Sequence, residues 1–88
     1  MSVFMVERNL SGISMDDLGN AQKAAIAKGN EMTGEGTPVR YIRTTFAPED
    51  GRCMCLFEAD KSDDVKRLND EAGLPYSRIV PAMDLTPQ

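Results

Sequence analysis

The chain has 88 residues and a formal charge of −4, from 14 acidic and 10 basic side chains, and it contains no histidine. That length implies one domain, residues 1–88, able to bury a core without disulfide or metal staples. The basic residues are dispersed and the pI is about 4.6, which argues against nucleic acid and anionic membranes as partners. The missing imidazole removes the commonest metal ligand and the commonest general base.

In chain order, Val3 to Arg8 reads as a first strand, and its charges come too early for a signal peptide. No stretch is apolar for long enough to span a bilayer. After the turn at Asn9–Gly12 a helix opens at Ser14, a capping residue, with Asp16 and Asp17 in the first turn where the helix dipole favours acid. Leu18, Ala21, Ala25 and Met32 form its buried stripe, and Gly34 and Gly36 end it. Pro38 to Phe46 is a second strand, and the turn Ala47–Arg52 joins it to a third, Cys53 to Ala59, as a hairpin. A second helix opens at Ser62, again a capping residue, with Asp63 and Asp64 beside it. Val65, Leu68 and Ala72 face inward, while Lys66–Asp70 and Arg67–Glu71 pair outside at i,i+4. Gly73 is a left-handed stop, followed by Leu74 and Pro75. Ser77 to Leu85 is the last strand, and Pro81 assigns it to an edge.

The order β-α-β-β-α-β is the ferredoxin-like split unit: a four-stranded antiparallel sheet with two helices on one face and the first and third strands central. Both central strands are apolar on both sides, so the open face needs a cover. The expected cover is a second copy packed sheet to sheet, a homodimer of the dimeric α/β-barrel type. The expected register turns Phe4, Val6, Met54 and Leu56 toward the helices. Met5, Glu7, Cys53, Cys55 and Phe57 then face the partner.

Cys53 and Cys55 share one strand face but lie too far apart to bridge without distortion. Free thiols suit a reducing compartment, the cytoplasm. They are either small apolar fillers of a strand or a thiolate pair for a soft divalent metal, with Glu7 as a third donor at the same end. Glu7 and Glu58 could instead be strand-end charges pairing with Arg8 or Arg78. Tyr41 and Arg43, placed on one face of the second strand, could bind an acidic small molecule or form the rim of the dimer. Met5, Met32, Met54 and Met83 are assigned to the core. There is no phosphate loop, no G-x-S-x-G and no Cys/His nucleophile, so no catalytic residue is identified.

Several pieces in order resemble one family: Phe4-Met-Val-Glu-Arg8 with Leu10 and Gly12, Tyr41 three residues before Thr44, Cys55-Leu-Phe-Glu-Ala59 with Asp60, and Ala72-Gly-Leu-Pro75 with Arg78-Ile79. It is a small bacterial ferredoxin-like family that includes nickel-responsive, nickel-binding proteins. The resemblance implies the fold, the dimer and nickel binding, and no established enzyme activity. Members often carry a histidine in the second helix, where this chain has Lys66 to Glu71. Nickel bound here would therefore need thiolate and carboxylate ligands. The expectation is a small cytoplasmic protein binding nickel or another divalent transition metal. The alternatives are a dimeric α/β barrel that binds or converts a small organic molecule, and an accessory module without a ligand.

Overall fold

A computed structural model describes residues 1–87. Its elements are β1 (Ser2–Asn9), α1 (Met15–Gly34), β2 (Val39–Ala47), β3 (Arg52–Ala59), α2 (Ser62–Glu71) and β4 (Arg78–Ala82). The strands form one antiparallel sheet in the order β2-β3-β1-β4, with both helices on one face. This is the ferredoxin-like arrangement, with β1 and β3 central.

Local chemistry accounts for the helix ends. Ser14 Oγ accepts from the Asp17 amide at 3.1 Å and so caps α1. α2 starts at Ser62 after Lys61, without a side-chain cap, so Ser62 is the first helical residue and not the cap. Both helices close with the same motif. Gly36 (φ +96°) and Gly73 (φ +70°) take the left-handed conformation. The amides of Thr37 and Leu74 each return to a carbonyl in the last turn, Met32 O and Asn69 O, both at 2.9 Å.

The core lies between the helices and the sheet. β1 contributes Phe4 and Val6, and β3 contributes Cys53, Cys55, Phe57 and Ala59. Leu18, Ala25 and Met32 of α1 and Val65 and Leu68 of α2 complete it. Gly29 allows α1 to approach closely: a Cβ there would sit 3.2 Å from the Val39 carbonyl oxygen. Asn69 is also fully buried; its Nδ2 donates to Val65 O at 2.8 Å, and its Oδ1 has no partner among the described residues.

The pairing corrects the expected register. Phe4 lies opposite Phe57, Val6 opposite Cys55 and Arg8 opposite Cys53. Opposed residues share a sheet face. Cys53, Cys55 and Phe57 therefore point to the helices, whereas Met54 and Leu56 join Met5 and Glu7 on the open face. The reason is charge. Arg52, Met54, Leu56 and Glu58 include both charged side chains of β3, and burying that set would strand two ions. The other set is uncharged throughout. Of the methionines assigned to the core, Met32 is fully buried, Met5 and Met54 are half-buried on the open face, and Met83 is 76% exposed. β4 stops at Ala82 and not at Leu85. Among the described residues no helix is long and apolar enough to cross a membrane.

Candidate functional site

Between α1 and the sheet lies a cavity of about 230 Å³. Leu18, Ala21, Gln22 and Ala25 of α1 form one wall, and Tyr41 and Thr44 of β2 with Cys53 and Cys55 of β3 form the other. Leu10 and Ile13 from the loop after β1, and Leu74 and Pro75 from the segment after α2, close its ends, with Arg8 reaching in from β1. The walls are almost entirely apolar. One string of polar atoms crosses them.

Gln22 Nε2 donates to Tyr41 Oη at 2.8 Å, and Tyr41 Oη shares a hydrogen bond with Thr44 Oγ1 at 2.6 Å. Thr44 Oγ1 lies 3.1 Å from Cys55 Sγ, which is 3.9 Å from Cys53 Sγ. Edge-to-face contact with Phe57, at 5.6 Å between centroids, holds the Tyr41 ring in place. Burial, and then the neighbouring Cys55, pushes the Cys53 thiol up to about 11, with the nearby Arg8 charge acting against them. Arg8 is itself 7% exposed, and its Nη1 donates to Pro75 O at 3.1 Å.

The structure brings together only some of the residues singled out from sequence. Cys53, Cys55 and Tyr41 line the cavity. Glu7 does not: it sits on the open face opposite Met54 and is ion-paired with Arg78. Tyr41 and Arg43, placed by the sequence pattern on one face of the second strand, do not share it. The β2–β3 register slips at Ile42, so Tyr41 faces Phe57 while Arg43 lies opposite Leu56, where it pairs with Asp84 at 3.0 Å. Such a bulge reverses the side-chain alternation beyond it. Arg8, Gln22 and Thr44 were missed. Period-two alternation carried the signal for Arg8, since any register that turns Phe4 and Val6 inward turns Arg8 inward too.

Fold and cavity together define a small ferredoxin-like protein with a pocket beneath its first helix. The profile of the family described as nickel responsive protein SCO4226-like matches residues 4–81, and the chain belongs to that family. Among solved structures, the crystal structure of SCO4226 from Streptomyces coelicolor A3(2) is similar, with a TM-score of 0.81 and 23% identity. The match covers 97% of this chain and 100% of that one. No curated protein matches the chain significantly.

The family's description raises nickel, and the donors present can be tested against it. Nickel and zinc sites of this kind draw several donors from the protein, typically about four in a closed structural site. Among the described residues no three Cys, Asp or Glu side chains are grouped so as to hold an ion. The two sulfurs supply at most half of a closed shell. Glu7 is on the wrong side of the sheet to add a third donor, and a subunit docked on the open face could not reach the thiols through the sheet. The residues do not fit a closed nickel site.

Proposed function

We propose that this protein binds a small, mostly apolar organic molecule in the cavity beneath α1. The observation that carries the reading is the cavity itself: about 230 Å³ of apolar space with a few convergent polar groups on rigid elements. Binding pockets for small molecules have this composition. The absence of a general base or activated nucleophile among its lining residues favours binding over catalysis. The test is a ligand-detected NMR screen of small aromatic and alkyl compounds against the wild type and Ala21→Phe, which fills the space. Hits lost in Ala21→Phe support the reading; hits unaffected by it, or none at all, refute it.

The family description and the adjacent sulfurs, 3.9 Å apart, favour nickel as a second reading. It needs donors beyond this cavity. Thiolate-to-nickel absorption at neutral pH that disappears in Cys53→Ser would support it, and no such band would count against it.

Association of two copies through the open sheet face is proposed alongside. Half-buried Val3, Met5, Met54, Leu56 and Val80 form an apolar stripe there. The ion pairs Arg40–Glu58, Arg43–Asp84 and Arg78–Glu7 flank it. A polar rim around an apolar centre is the usual anatomy of an interface.

A further inference from the structure

Arg8 is the one charged side chain lining the cavity, and among the described residues it has no counter-ion. It is 7% exposed and forms no ion pair among the described residues. Its guanidinium donates to Pro75 O at 3.1 Å and lies against the Cys53 thiol, and neither partner carries a negative charge. A guanidinium does not deprotonate in a protein, so the positive charge is permanent. A cation with no carboxylate partner beside an apolar cavity favours an anionic ligand there. The adjacent acid in sequence, Glu7, is committed to Arg78 on the other side of the sheet. The adjacent thiol, Cys53, is kept protonated at neutral pH by its burial and supplies no negative charge. The cavity thus combines a fixed cation with apolar walls.

Resting on the reading of the cavity as a ligand site, we propose that its ligand is a small apolar carboxylic acid, the carboxylate received by Arg8 and the body lying against Leu18, Ala21, Ala25 and Tyr41. Size agrees with this. An apolar cavity of roughly 150 Å³ accepts benzene, so about 230 Å³ accommodates a ring or short alkyl chain together with its carboxylate. The planar guanidinium fork matches a carboxylate in two-point geometry. A phosphate would bring a second charge that no other cation lining the cavity could meet.

Calorimetry on the full chain at neutral pH, with phenylacetate and hexanoate set against phenylacetamide and hexanamide, tests the proposal. The acids should bind the wild type at least about tenfold more tightly than their amides, as a charge-assisted hydrogen bond predicts. Arg8→Met should abolish that preference while leaving amide affinity in place, and Arg8→Lys should restore part of it. Equal affinity of acid and amide for the wild type, or a preference that survives Arg8→Met, overturns the carboxylate assignment and leaves the cavity reading intact. Silence from all four compounds with folded protein overturns both.

Discussion

Cys53 joins the core to the cavity, and its protonation couples the two. An ordinary thiol titrates near 9.0, whereas burial and the neighbouring Cys55 push this one up to about 11. Between those values the folded chain keeps a proton that the unfolded chain has lost, so folding stability falls with rising pH. The stabilisation from the buried neutral thiol is complete below about pH 9 and is lost as pH passes about 11. Urea denaturation from pH 8 to 11 should show this decline in the wild type and a flatter profile in Cys53→Ala. Identical slopes would mean that the thiol is freely hydrated. The same protonation keeps Cys53 a weak nucleophile at neutral pH, so its alkylation should be slow until the solution is alkaline.

The hairpin between β2 and β3 shapes the cavity through one glycine. Gly51 is buried at φ +75°, and a Cβ there would lie 2.6 Å from both the backbone nitrogen and Cα of Ser11. Its carbonyl accepts from the Leu10 amide at 2.7 Å. The turn is thereby clamped to the loop that carries Leu10 and Ile13 to the cavity wall. Gly51→Ala should cost roughly 2 kcal/mol or more, from strained backbone and steric overlap together. A urea-derived loss below about 0.5 kcal/mol would show that the loop simply moves aside. Element order and helix boundaries were legible because Ser14, Gly36, Gly73 and Pro75 act locally. Strand facing was not, since it depends on which partner opposes which residue. For β3 the charges of Arg52 and Glu58 marked the outward set, but the apolar character of Met54 and Leu56 obscured it. The Ile42 bulge left no comparable mark, so Arg43 was placed on the face of Tyr41. Arg8 was missed because an arginine at a strand end is ordinarily a surface charge.

Two different uses are proposed for the two faces of the sheet, and substitutions should separate them. Leu56 lies on the open sheet face, so Leu56→Asp should dissociate a dimer formed there while leaving the fold intact. Phe57, fully buried on the opposite face, should behave in the reverse way. Phe57→Ala should lose about 3–5 kcal/mol of stability without changing association. Sedimentation velocity beside urea denaturation distinguishes the two outcomes; a wild type that is monomeric at tens of micromolar, roughly where weak association persists, contradicts the dimer. On this account ligand binding belongs to the helix side and subunit association to the open side, with the central strands β1 and β3 serving both through alternate residues. The most direct measurement is a crystal soaked with 4-bromophenylacetate and read by bromine anomalous scattering. The account predicts a bromine peak between α1 and β2–β3, among Ala21, Ala25 and Tyr41. A peak on the open sheet face beside Met5 and Leu56, or no peak in a well-ordered crystal, would contradict it.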